Sequence, residues 1–157
     1  MKRGDLEHVL RAASAITNQR DFIVIGSQSI LGQFPDAPAE LLVSDEVDIY
    51  PRDRPELADL IDGAIGELCL IIVTNDNTHG AVGHCLEIHD LLAAKYVAGR
   101  DKDRRFCRDA VRRGLADEGR LLERVASLPV DDERKTTLRS VVLSDFAAPT
   151  APTAPTA

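Results

Sequence analysis

The sequence predicts an α/β (α+β) fold: a small mixed sheet flanked by helices, with a helical C-terminal part. Three observations lead there. Short apolar or alternating runs, the signature of strands, fall at 22–25, 46–50 and 68–73. Stripes at helical spacing precede and separate them. From about residue 90 onward only helical stripes remain, and strands early with helices late suggest a sheet with a helical cap.

Asp5 stands where it can cap a first helix, in which Leu6, Val9, Leu10, Ala13 and Ile16 fall at helical spacing. Asn18-Gln19-Arg20-Asp21 breaks that pattern. Phe22-Ile23-Val24-Ile25 is continuously apolar, ends at Gly26 and suits a strand buried on both faces. Residues 27–32 read as a short helical turn, and Pro35 and Pro38 mark 33–40 as a loop. In 46–50, Glu46, Asp48 and Tyr50 share one strand face, and Val47 and Ile49 share the other. Pro55 then takes a helix N1 position, with Leu57, Leu60, Ile61, Ala64 and Ile65 as the buried stripe. A strand at 68–73, turn chemistry at Asn75-Asp76-Asn77 and a further strand within 81–88 follow. A helix runs from near Asp90 to Gly99, and Asp101, Asp117 and Asp131 each stand where an N-cap would be. The last three helices carry the stripes Phe106/Ala110/Val111, Leu121/Leu122/Val125 and Leu138/Val141/Val142. After Phe146 the chain becomes Ala-Pro-Thr repeats, which lack the large apolar residues needed to offset ordering entropy, so disorder is expected. The expected organisation is a core at 1–100, a helical part at 101–146 packed on it, and a tail at 147–157.

Composition narrows the class. The chain has 157 residues, one domain's worth, and 44% of them are hydrophobic, enough for a core without staples. No apolar run is long enough for a transmembrane helix, and the N-terminus has no apolar h-region of a secretory signal. Cys69, Cys85 and Cys107 are an odd count without a C-x-x-C pair, which argues against a disulfide framework or zinc ribbon and for a reducing cytoplasm. His79, His84 and His89 are five apart; in strands that spacing alternates faces, so they do not build one metal site. The net charge of −7 disfavours a protein that coats nucleic acid, while leaving room for an enzyme that touches RNA through one local patch.

Two features carry chemistry. Gly26-Ser27 closes a buried strand and opens a helical turn. Glycine lets a ligand approach the backbone closely, and the amides at the start of a helix favour an anion. Glu46-x-Asp48 puts two carboxylates on one strand face, about 7 Å apart at ~3.3 Å per residue. Two such acids can share hard divalent cations with phosphate oxygens. A phosphate cradle beside paired metal-binding acids is the minimal equipment for nucleotidyl transfer. Bland readings stand beside these: Ser27 as a simple N-cap, and the acids as the solvent face of an edge strand.

The run Gly26-Ser27-Gln28-Ser29-Ile30-Leu31-Gly32, followed by Ser44-Asp45-Glu46-Val47-Asp48-Ile49-Tyr50-Pro51, resembles the G-S…[DE]-x-D signature of minimal nucleotidyltransferases of the polymerase-beta superfamily. It is most similar to the toxin-like branch of AbiEii and the MenT toxins. The stretch from Cys85 to Asp103 resembles that branch's third motif, a helix lysine (Lys95) followed by A-x-R-x-K-D. The resemblance spans about residues 5–115. The middle is shorter than in that family by roughly one hairpin, which predicts an open pocket or an exposed sheet edge near 68–77.

The resemblance implies transfer of a nucleoside monophosphate from an NTP to a tRNA 3′ end or a protein hydroxyl. It casts Glu46, Asp48 and Lys95 as catalytic, with Glu46 and Asp48 holding Mg2+. Gly26, Ser27, Ser44 and Asp103 would contact the nucleotide, and Asp103 could orient Lys95. It also implies an antitoxin as a possible partner. Two other readings stay open: a degenerate, inactive relative that binds a nucleotide or a protein, and a scaffold module working through its helices. Lys95 lies in an otherwise apolar helix, where a lysine either snorkels or aims its charge at a triphosphate. Residues 100–113 hold seven basic and three acidic side chains, a local charge of +4 against −11 for the rest. Such a run is either a solvated helix face or a landing surface for RNA phosphates.

Overall fold

A computed structural model of the chain describes residues 1–44, 47–53 and 70–148. Among them, helix α1 (Arg3–Thr17) leads into strand β1 (Asp21–Ile25). A 3-10 turn at Ser27–Ser29 continues as the one-turn helix α2 (Ile30–Gln33), and a second 3-10 turn forms at Ala39–Leu41. Strand β2 (Asp48–Pro51), strand β3 (Leu70–Val73) and strand β4 (Val82–Leu86) complete the described sheet. Helices α3 (Ile88–Ala98), α4 (Asp101–Arg112), α5 (Glu118–Ser127) and α6 (Asp132–Ala147) follow. The fold is mixed α/β, as the sequence predicts. The predicted helix after Pro55, the first two residues of the predicted strand at 68–73 and the Ala-Pro-Thr repeats lie outside the described residues. Among the described residues, no helix is long and apolar enough to cross a membrane.

The strand order is β2-β1-β4-β3, with β1 parallel to β4 and both outer pairs antiparallel. Residues paired across the ladders share a face. One face holds Phe22, Val24, Gly83, Cys85 and Val73, all buried. Leu6 and Leu10 of α1 and Ile30 and Leu31 of α2 join them in one core. A Cβ on Gly32 would fall 2.5 Å from the Cys85 Cβ, so α2 lies directly on β4. A Cβ on Gly83 would fall 2.8 Å from a Leu10 methyl.

The opposite face carries Asp48, Tyr50, Ile23, Ile25, His84 and Ile72. It is only partly covered, with Asp48 and Ile72 exposed. The reading of β1 as a strand buried on both faces is therefore corrected: burial alternates along it. The apolar side chains Ile23 and Ile25 made the run continuous, yet they sit half-buried beside the polar Asp48, Tyr50 and His84. Strand β3 ends the described sheet, and Ile72, on its open face, is 61% exposed.

The helix starts need small corrections. Helix α1 begins before Asp5, which sits at N3 and accepts from the Lys2 amide at 2.7 Å, half of a capping box. Ile16 is solvent-exposed, and Glu7 takes a buried place instead. Glu7 accepts from Arg3 Nε (3.0 Å), Asn75 Nδ2 (2.7 Å) and Asn77 Nδ2 (3.1 Å). Helix α3 starts near Asp90, as expected, with Glu87 as its cap; Arg100 takes the N-cap position of α4, which leaves Asp101 inside the first turn. Asp117 and Asp131 cap α5 and α6 through their side chains. Helix α3 is buried almost all round, and the stripes of α4, α5 and α6 pack into the same core.

Because α2 rests on β4 with no room for a methyl group, Gly32→Ala should lower stability by about 1–3 kcal/mol through overpacking. Thermal unfolding of the variant checks this, and an unchanged melting temperature would show that α2 can lift from the sheet at no cost.

Candidate functional site

Strand β1 ends in Ile25-Gly26, and the chain must turn sharply there. Gly26 has φ +73, a conformation that side chains with a Cβ rarely adopt. A Cβ at this point would also stand 2.7 Å from Asp48 Oδ2. Ile25 pairs with Asp48 in the β1–β2 ladder, so the sheet register delivers the carboxylate to the turn. Ser29 closes the turn: its amide and hydroxyl both donate to the Gly26 carbonyl, at 3.2 and 2.9 Å. The Ser27 hydroxyl makes no cap bond, which removes the simple N-cap reading.

Ser27 Oγ instead accepts from Lys95 Nζ at 3.1 Å. Lys95 does not snorkel. It is 8% exposed, lies 4.4 Å from the centroid of the Phe106 ring, and donates to Asp103 Oδ1 at 3.3 Å. Gly99 ends α3 in the left-handed conformation, and its amide donates to the Lys95 carbonyl at 2.9 Å. That reversal starts α4 beside the end of α3, so Asp103, eight residues on, comes back against Lys95. Asp103 is buried in the first turn of α4, where a carboxylate is also favoured by the helix dipole. Arg100 closes the group, donating from Nε to Asp103 Oδ2 at 2.6 Å.

The charges in this cluster hold one another. Burial pulls the Lys95 ammonium below its usual range, and the attraction of Asp103 only partly offsets this. For Asp103, burial pushes the carboxyl up, but the Arg100 hydrogen bond and the Lys95 charge win and hold it below the usual carboxylate range. The Asp103 hydrogen bond and charge raise Arg100, with Asp48 adding a smaller pull of the same sign. Asp48 is thus within electrostatic reach of Arg100.

The structure therefore brings Gly26, Ser27, Asp48, Lys95 and Asp103 together. Ser44 is joined to the residue after Ser27: its carbonyl accepts from Gln28 Nε2. Glu46 lies outside the described residues. Among the described residues no group of three or more His, Cys, Asp and Glu is placed to hold a metal. Asp103 is engaged by two cations, whereas Asp48 beside the turn is exposed, and carboxylate oxygens are what a hard cation takes.

The sequence reading missed Gln28, Ser29, Arg100 as a partner of Asp103, and Phe106 as more than core. Gln28 is fully buried, and its Oε1 has no hydrogen-bond partner. A polar amide two residues before the apolar pair Ile30-Leu31 was the available signal. Of the three histidines only His84 lies in a strand; His79 ends a 3-10 turn and His89 opens α3, so the expected alternation of strand faces does not apply to these two. His84 Nε2 lies 3.0 Å from Asp21 Oδ1. His89 pairs with Glu87 and accepts the Asp117 amide on Nε2 at 2.9 Å, which fixes its proton on Nδ1. Cys85 and Cys107 are buried and free, and burial pushes the Cys85 thiol up to about 12, so neither is poised as a nucleophile.

Replacing Asp103 leaves the Lys95 ammonium buried without its anion. Asp103→Asn should cost on the order of 3–5 kcal/mol near neutral pH. The native carboxyl is held below its ordinary value of 3.8, so its contribution is present above that pH and is lost as pH falls through the folded value. The stability gap between wild type and variant should therefore narrow below about pH 4. Urea unfolding at a series of pH values reads this, and a gap independent of pH would mean that Asp103 is not an ion-pair partner.

No family model, no curated protein and no solved structure matches this chain.

Proposed function

We propose that the protein is a nucleotidyltransferase that moves a nucleoside monophosphate from an NTP to an acceptor hydroxyl. One observation carries the reading: the Gly26-Ser27 turn, the acidic strand β2 and the lysine of α3 converge on one point at the carboxyl end of β1. Such strand ends are where open α/β sheets bind ligands. The acceptor is a tRNA 3′ end or a protein hydroxyl.

Each residue has a task in this reaction. Gly26 leaves the backbone bare for the β- and γ-phosphates. Ser27 offers its hydroxyl beside them, held in place by Lys95. Lys95 supplies fixed positive charge at the edge of the triphosphate, and Asp103 and Arg100 hold it there. Asp48, with Glu46 expected beside it on the strand, provides the carboxylate oxygens for Mg2+. When bound with the nucleotide, Mg2+ supplies neutralisation of charge on the phosphoryl group being transferred. The acceptor oxygen forms a bond to the α-phosphorus, the bond to the β-phosphate oxygen breaks, pyrophosphate leaves and the hydroxyl proton passes to solvent.

A second reading rests on a specific feature. Lys95, Arg100 and Asp103 already satisfy one another, so the same cluster would also serve an inactive relative that binds a nucleotide without turning it over. Incubation with each labelled NTP, Mg2+ and total tRNA separates the two. Label in the RNA or in the protein supports transfer, and NTP binding without label supports the inactive relative.

Asp48→Asn keeps the size of the side chain and removes the charge that the cation needs. Transfer should fall by a hundredfold or more, because metal stabilisation is worth several kcal/mol and each ~1.4 kcal/mol is about tenfold in rate. Folding should survive, since Asp48 is exposed. Undiminished transfer in this variant would sink the assignment of Asp48.

A further inference from the structure

We propose that the groove between α4 and α6 is a binding site for a phosphate-bearing anion. It lies apart from the cluster at Gly26 and does not depend on nucleotidyl transfer. Arg104, Arg108 and Arg112 stand four residues apart on one face of α4 and line one wall. Ser140, Val141, Ser144 and Asp145 of α6 form the other, around a volume of about 530 Å³.

The charge balance of the groove is positive in a chain of net charge −7. Three guanidinium groups face one carboxylate, and that carboxylate is engaged. Asp145 accepts from the Tyr96 hydroxyl at 2.9 Å and lies 3.8 Å from Arg108 Nε. The Arg112 Nε is buried and has no hydrogen-bond partner among the described residues. Within the row, Arg104 Nε also donates to the Gly99 carbonyl at 3.0 Å, which leaves its two terminal nitrogens for a ligand. Of the neighbouring basic side chains, Arg100 is bound to Asp103, and Arg113 Nη2 lies 3.1 Å from Glu40 Oε2.

The geometry favours phosphoryl groups over a single carboxylate. Four residues of helix rise about 6 Å, so the three arginines extend over about 12 Å. One carboxylate spans one guanidinium fork. A diphosphate or a run of phosphodiesters presents several oxygens along such a row, each suited to bidentate contact. Ser144 adds a hydroxyl on the facing wall. The shared chemistry is the phosphoryl oxygen, whether its source is a free pyrophosphate or the backbone of a nucleic acid strand.

The test uses the full chain and two probes: sodium pyrophosphate by calorimetry, and a fluorescent single-stranded oligoribonucleotide by anisotropy. At least one probe should bind, and Arg104→Gln with Arg112→Gln should weaken that binding tenfold or more. Arg120→Gln with Arg139→Gln removes the same net charge from other exposed positions and should leave it within about twofold. Ser144→Asp, which places a negative charge on the opposite wall, should weaken it too and serves if the double variant fails to fold. Pyrophosphate binding assigns the groove to a free phosphate group. Oligonucleotide binding that pyrophosphate does not displace assigns it to a phosphodiester chain. Binding of neither probe overturns the proposal. So does equal weakening by the groove pair and the control pair, which reports net charge alone. Transfer activity enters none of these readouts, so the two proposals fail separately.

Discussion

The buried ion pair between Lys95 and Asp103 is the constraint on which the site region depends. Taking either charge out of water is expensive; Lys95 is offset by Asp103, and Asp103 by Lys95 and Arg100 together. The pair can form only if α3 stops and α4 starts within a few residues, which the left-handed Gly99 permits. Once formed, it fixes the angle at which α4 leaves α3. It also fixes Lys95 Nζ beside Ser27, which ties the helical part of the chain to the turn after β1. Loss of the pair would therefore disturb more than two side chains: the position of the lysine relative to the sheet would no longer be determined.

The sheet imposes the complementary constraint. Its two faces are treated differently by the chain. One is sealed by α1 and α2 at distances that exclude even a methyl group at Gly32 and Gly83. The other stays half-open, and Asp48 stands on it at the end nearest Gly26. A carboxylate in a strand is unfavourable unless that face meets water or a ligand. Close packing on one side and openness on the other thus come from the same ladder register. A one-residue slip of β2 would carry Asp48 to the closed face.

Much of this was legible in the sequence, for reasons that differ by element. Strand β1 and helix α3 are marked by near-continuous apolar runs, and the stripes of α4 to α6 by apolar periodicity, which tertiary packing then respects. The helix starts were less legible. Asp5 and Asp101 each sit in a first turn, where a carboxylate is favoured almost as it is at a cap, so composition alone does not separate the two positions. The alternation along β1 was hidden because Ile23 and Ile25 are apolar on a half-open face. Within the candidate site, Gly26, Ser27, Asp48, Lys95 and Asp103 could be named from motif order. Their bonding could not. That Ser29 rather than Ser27 closes the turn, and that Arg100 joins the ion pair, depends on three-dimensional placement that no spacing encodes.

Helix α4 shows how one short element can serve two surfaces. Its sequence Asp101-Lys102-Asp103-Arg104-Arg105-Phe106-Cys107-Arg108-Asp109-Ala110-Val111-Arg112 is among the most charged stretches of the chain. On a linear reading the charges look like one basic run. Wound at 3.6 residues per turn, they separate. Asp103, Phe106, Cys107, Ala110 and Val111 turn inward, and Asp103 and Phe106 complete the environment of Lys95. Arg104, Arg108 and Arg112 stack along the groove toward α6. A change in the length of the Gly99 turn would rotate both faces together. The setting of Lys95 and the row of arginines are therefore coupled through the backbone of this helix, although no side chain of the row touches the lysine in any described hydrogen bond or ion pair.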